Sequence, residues 1–141
     1  MTCAHIPSPC LRNVAEGDLN TLDEWTSVLA LATQWLFEGH RQRAITRLSH
    51  LGSAIDRIVL ARRYDVPGWR EDAYYQLCVR DEALTLEEGH RLGMEDVILL
   101  AELRQRIRPP AYGYAMQEPM VRHTIRTRLA ARQQQQQLNT A

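Results

Sequence analysis

A small cluster of cysteine and histidine near the start of this 141-residue chain is the first place where the residue types could support chemistry. Cys3, His5 and Cys10 can supply three zinc ligands, because thiolates and imidazoles are the donors that zinc prefers. A structural zinc site needs four ligands in a closed tetrahedron, and the later histidines follow at no familiar zinc-finger spacing. We therefore predict no metal here and no cofactor.

Cys78 and His90 are the second place where chemistry could occur. A cysteine nucleophile needs a nearby base that a third group orients, and the sequence identifies no such group. Cys78 lies in a helical pattern, where a half-buried thiol is common, and His90 lies beside two glutamates as on a solvated surface. The sequence predicts no catalytic residue and a protein that is not an enzyme.

Composition limits the chain to about one domain and a tail. The formal net charge is zero, but residues 104–141 hold seven Arg and one acidic residue, so the rest is acidic. No apolar run approaches the roughly 20 residues that cross a bilayer, the start does not resemble a secretory signal, and three cysteines form no disulfide framework. We predict no membrane span and a cytoplasmic or nuclear location.

Capping motifs and helical periodicity predict an all-α domain, a compact bundle of about six short helices over residues 21–108. Capping boxes are predicted at Thr21, Ser53 and Thr85. The second helix is predicted from about His40 to Leu51, with Gly52 in a left-handed turn, and the fourth is predicted to begin at Pro67. Residues 1–20 are predicted to form a disordered arm.

Residues 109–141 form a predicted tail rich in Arg and Gln. An amphipathic helix is predicted over 119–132, with Val121, Ile125 and Leu129 on one face, followed by a disordered glutamine run at 133–137. The candidate basic residues are Arg122, Arg126, Arg128 and Arg132. We favour the interpretation that the apolar stripe packs back on the acidic domain or that the segment is disordered; the alternative is that the arginines bind an acidic partner or, as the weaker possibility, nucleic acid.

Three tryptophans fall on apolar helix faces, which makes them core residues in most cases. Trp35 is the exception, because it shares a second stripe of the first helix with Leu31. We predict that Leu31 and Trp35 form an interaction surface, either exposed to a protein partner or covered in a homo-oligomer.

Two ordered sets of residues resemble the C-terminal helical region of fungal BTB (POZ) domain proteins. The first comprises Thr21, Glu24-Trp25, Val28-Leu29, Leu31-Ala32-Thr33, Trp35, Phe37, Arg41, Ala44-Ile45 and Leu48. The second comprises Asp56 to Pro67, Trp69, Ala73-Tyr74, Leu84 to Gly89 and Leu92 to Glu95.

The resemblance implies a BTB-associated, BACK-like helical domain that binds proteins as an adaptor or scaffold. Only twenty residues precede Thr21, so the BTB domain itself is expected to be missing. Some BTB relatives link substrates to cullin-type ubiquitin ligases, but that link depends largely on the missing half. The expectation is therefore a non-catalytic protein-interaction module whose partner is unknown.

Overall fold

The computed structural model describes residues 19–108 and 116–140, and these residues form helices with no strand. The predicted all-α fold class is confirmed. The helices are α1 (Leu22–Gln34), α2 (Glu38–Leu51), α3 (Ala54–Tyr64), α4 (Trp69–Val79), α5 (Leu86–Leu92), α6 (Met94–Ile107) and α7 (Glu118–Thr140). None of these seven has both the length and the apolar content required of a bilayer-spanning helix.

Three helices begin at the predicted capping boxes. At α1 the backbone N–H of Glu24 donates to Thr21 Oγ1 at 3.3 Å, and the N–H of Thr21 donates to Glu24 Oε2 at 3.0 Å. The same reciprocal pattern starts α3 at Ser53 and α5 at Thr85. Each cap satisfies backbone donors that the first helical turn leaves unpaired, which stabilises a helix by about 1 kcal/mol.

Some local details differ from the sequence predictions. Gly52 does not take the left-handed conformation, because the chain passes directly into the extended N-cap Ser53 of α3. Pro67 lies before α4 and is not its first residue, since Gly68 caps that helix with φ +83°. The glutamine run is helical, because α7 continues to Thr140, and glutamine is a good helix former.

The chain divides into two units, and the boundary differs from the predicted one. One unit contains α1 and α2, and the other contains α3 to α7. The sequence prediction joined α1–α6 in one domain and left residues 109–141 as a tail. Helix α7 instead belongs to the second unit, because Val121, Ile125 and Leu129 are buried in that unit's core.

Each unit has its own core. In the described part of the first unit, α1 and α2 pack together, and their buried side chains are Trp25, Leu29, Ala32, Ala44 and Leu48. The core of the second unit is larger and draws on all five of its helices, with Ile58, Tyr74, Leu77, Leu92 and Leu103 fully buried or nearly so. The predicted N-terminal arm, apart from Leu19 and Asn20, and the Cys3–His5–Cys10 cluster lie outside the described residues.

Candidate functional site

Four large apolar side chains are exposed where α1 ends and the chain turns into α2. Leu31 is 57% exposed, Trp35 64%, Leu36 87% and Phe37 54%. We call these four residues the α1 surface. The two predicted residues, Leu31 and Trp35, both belong to it, whereas Leu36 and Phe37 were missed. An exposed cluster of large apolar groups is more informative than a single exposed leucine, because such clusters mark interaction sites.

The backbone at the end of α1 explains why these side chains point outward. The N–H of Trp35 donates to Leu31 O and the N–H of Phe37 donates to Ala32 O, both at 2.9 Å, so the helix closes with a tight left-handed turn. Leu36 holds this turn with φ +56°. Glycine adopts that conformation without strain, whereas a residue with a β-carbon loses about 1–2 kcal/mol.

Two apolar stripes run along α1, and only one of them is covered by α2. Trp25, Leu29 and Ala32 form the buried stripe, and the Trp25 indole N–H also donates to Leu19 O at 3.1 Å. Leu31 and Trp35 lie on the second stripe, about a quarter turn around the helix. Trp25 and Trp69 are thus core residues, and Trp35 is the exposed tryptophan that the sequence predicted.

The exposed stripe also lacks charge from Val28 to Trp35. No ionisable side chain occurs between Trp25 and Phe37, a stretch of thirteen residues that covers most of α1. The surface helices of a globular protein usually place charged residues opposite the core. A surface of this kind can bury apolar area without removing charges from water, which favours association with another apolar surface.

The candidate basic residues of α7 have a different environment, because each one pairs with an acidic side chain. Arg122 pairs with Asp72 and Glu118, Arg126 with Glu71, Arg128 with Glu102, and Arg132 with Glu95 and Asp96. The acidic partners other than Glu118 lie on α4 and α6. These pairs flank the buried stripe of α7, so the helix is held to the second unit by apolar burial along its centre and by charge on both sides.

The same contacts raise the pKa of several arginines. A hydrogen bond to Asp72 raises the pKa of Arg122 above its ordinary value, and the Arg122 guanidinium also lies 4.4 Å from the centre of the Tyr75 ring. The hydrogen bond to Glu71 raises the pKa of Arg126. These guanidiniums lie at the surface but are engaged with carboxylates of the same chain, so a phosphate would have to compete with those carboxylates for them.

A buried carboxylate that the sequence pattern does not single out lies in the first turn of α6. Asp96 is 2% exposed, and its oxygens accept from Arg62 Nη1 at 3.0 Å, Tyr74 OH at 2.8 Å and Arg132 Nη1 at 2.7 Å. The four residues come from α3, α4, α6 and α7. Burial, together with the charge of Asp96, raises the pKa of Tyr74, so its hydroxyl stays protonated as a donor. We call these residues the Asp96 network, and its geometry ties helices together.

The remaining chemical candidates have surroundings that oppose reactivity or lie outside the described residues. Burial raises the pKa of the Cys78 thiol to about 11, so the thiolate that a nucleophile requires is disfavoured, and His90 is on the surface. Among the described residues, no group of three or more His, Cys, Asp or Glu side chains could hold a metal ion. Comparisons with known proteins found no matching family model, no matching curated protein and no matching solved structure.

Proposed function

We propose that this protein is a non-catalytic protein-interaction module that binds through the α1 surface. The observation that carries the proposal is the run of exposed apolar side chains at Trp35, Leu36 and Phe37, together with Leu31 one turn earlier. Aromatic residues dominate the energetics of protein interfaces because they bury a large area at a small cost in conformational entropy. Leu36 supports the proposal further, since a strained and nearly fully exposed leucine gives nothing to the hairpin core.

We also propose that this module is related to the helical region of BTB-type adaptors or scaffolds. Trp35 and Phe37, which belong to the α1 surface, are among the residues that carry the resemblance. The resemblance and the cytoplasmic or nuclear location remain predictions, and the comparisons with known proteins add no support to them. A link to cullin-type ubiquitin ligases depends on the resemblance alone.

The alternative function, binding of nucleic acid or an acidic partner through α7, has weaker support. The four candidate arginines are engaged with carboxylates; Arg126, for example, donates two hydrogen bonds to Glu71, at 2.9 and 3.0 Å. A truncation before α7 cannot test this alternative, because it would remove Ile125 and other core residues. Arg122→Gln with Arg126→Gln is the cleaner variant: a gel shift that weakens with salt and with this variant would support nucleic-acid binding.

Proximity labelling with the full chain in cells tests the proposed function. We expect a set of labelled proteins that is lost when Leu31 and Trp35 are both changed to Glu. The matched control is Ile98→Glu, which places the same charge at a 60% exposed apolar position of the second unit. Labelling that the double variant leaves intact, or that the control removes equally, would contradict the proposal.

A further inference from the structure

We propose that the partner of the α1 surface is a second copy of this chain, so that two α1 helices pair across a twofold axis. This inference rests on the proposed function, because it names the partner of the same surface. It is carried by the small core of the α1–α2 hairpin, by the arrangement of the apolar stripes of α1 and by the area that the surface offers.

The core that the described residues of the first unit form is small for an independent fold. Its described part, residues 19–51, is a two-helix hairpin with five buried apolar side chains, two of them alanines. Helical units of this size usually need oligomerisation or a covalent link to reach stability. Pairing two hairpins produces a four-helix bundle, which is the common way in which such hairpins complete a core.

The stripes of α1 show where the second hairpin would pack. In a four-helix bundle each helix meets two neighbours that lie about a quarter turn apart, and α1 carries two apolar stripes with this separation. The neighbour of the first stripe is α2, through Ala44 and Leu48. The second stripe, with Val28 partly buried and Leu31 and Trp35 exposed, lacks a neighbour within the hairpin.

Helix α2 carries no comparable second surface. From its middle onward its exposed positions are the polar residues Gln42, Arg43, Thr46 and His50, and the one exposed apolar residue is Leu51 at its end, 46% exposed. A helix that pairs through its polar face would have to bury these groups, at a cost that α1 does not incur. The twofold axis is therefore expected to pass beside α1. Since Leu31 is central in the second stripe, Leu31 of one copy would face Leu31 of the other.

The composition and area of the surface suit such a pair. Because no ionisable group lies between Trp25 and Phe37, the centre of the surface brings no like charges together, and the acidic residues Glu24 and Glu38 lie at its two ends. Since a large aromatic side chain buries 150–250 Å², the four exposed side chains offer on the order of 500 Å² per copy. Two copies would then bury about 1,000 Å², which is near the lower bound for a specific interface and implies a reversible, concentration-dependent dimer.

Sedimentation of the full 16.3 kDa chain over a roughly hundredfold range of concentration tests the pairing. We expect the mass to rise toward twice this value, and Trp35→Glu to weaken the association by at least about tenfold. Ile98→Glu is the matched control and should associate like the parent chain. If Trp35→Glu lowers the melting temperature, Leu31→Gln provides a milder variant of the same surface.

Nuclear magnetic resonance of the tryptophan indole N–H groups locates the interface. The Trp35 signal should shift as the concentration rises, whereas the signals of the buried Trp25 and Trp69 should stay in place. Three outcomes would overturn the second-copy proposal: a mass that stays at that of one chain, a Trp35 signal that does not shift with concentration, or a dimer that persists in both Trp35→Glu and Leu31→Gln. If the chain proves strictly monomeric but the Leu31–Trp35 double variant still abolishes the cellular labelling, the self-pairing is wrong and the proposed function stands.

Discussion

Helices α1 and α7 both place apolar side chains at steps of three and four, yet their surroundings differ sharply. The stripe of α7 is buried, with Ile125 fully covered, and arginines on both sides pair with acidic residues of α4 and α6. On the second stripe of α1, Leu31 and Trp35 are exposed, and no charged residue lies between them and Val28. Apolar periodicity alone therefore does not reveal which helix face is already occupied.

The charges next to an apolar stripe distinguish the two cases. Arginines beside the α7 stripe reach carboxylates on neighbouring helices, so they fix the helix in one register as well as solvating its edges. An uncharged stripe such as that of α1 has no such intramolecular partners, and burial against another apolar surface is its favourable outcome. The comparison predicts that substitutions at α7 change stability, whereas substitutions at the α1 surface change association.

A large loss of stability, comparable to that of a core truncation, is expected for Asp96→Ala, which removes the carboxylate that links α7 to three other helices. Deleting one partner of a buried ion pair typically costs 3–5 kcal/mol because the other groups lose their partner. Arg62 is half exposed and can recover water, so we expect about 3 kcal/mol. Urea unfolding measures the effect. A loss below about 1 kcal/mol would mean that α7 is held chiefly by its apolar stripe.

A matched pair of truncations, Ile125→Ala and Leu31→Ala, tests the comparison directly. Ile125 is fully buried, so its truncation should cost about 2–4 kcal/mol through lost burial and the cavity left behind. Leu31 is 57% exposed, and its truncation should change the stability of the monomer by less than about 0.5 kcal/mol. Unfolding has to be measured at low concentration, where association does not contribute. Equal losses in the two variants would remove the distinction between the helices.

Features set by neighbouring residues were predictable from the sequence. The three capping boxes depend on residues three positions apart, and each formed as predicted. The helical class and the exceptional position of Trp35 follow from periodicity within one helix. Local pattern was sufficient in these cases because the partners that satisfy each group lie within a single turn.

Features that depend on distant partners could not be predicted. Asp96 meets Tyr74, Arg62 and Arg132 across 22 to 36 residues of chain, and no spacing in the sequence signals this meeting. The attachment of α7 was left open because Arg126 and Glu71 are 55 residues apart. Leu36 was missed for another reason: the sequence lacks the glycine that usually marks a left-handed turn.

Leu36→Gly separates stability from association at the α1 surface. Glycine relieves the left-handed strain at this position, and we expect the monomer to gain up to about 1 kcal/mol, reduced by the greater freedom of glycine in the unfolded chain. The same change removes an 87% exposed apolar side chain, so association should weaken. Thermal unfolding and sedimentation measure the two effects. A variant that is less stable and associates as before would show that Leu36 serves the fold.

The smallest effect is expected from the two glutamates of the capping boxes, one in each unit. A hydrogen bond from Arg80 is the largest cause that lowers the pKa of Glu88, from its usual 4.5 to about 2, whereas Glu24 has its pKa lowered mainly by hydrogen bonds with Thr21. At neutral pH, Glu88→Gln should therefore lower the melting temperature more than Glu24→Gln, by a modest amount because Glu24 is exposed and the side chain of Glu88 is still 23% exposed.

The pH dependence of this difference has a definite sign. Because the folded-state pKa of Glu88 lies below the unfolded value, its contribution is complete above about pH 4.5 and is lost as the pH falls toward 2. The melting temperatures of the parent chain and of Glu88→Gln should thus converge over this interval, as measured by circular dichroism. If the melting temperatures still differ at pH 2, the effect of Glu88→Gln comes from packing or from the amide group itself. The two caps would then differ for reasons other than the charge of Arg80.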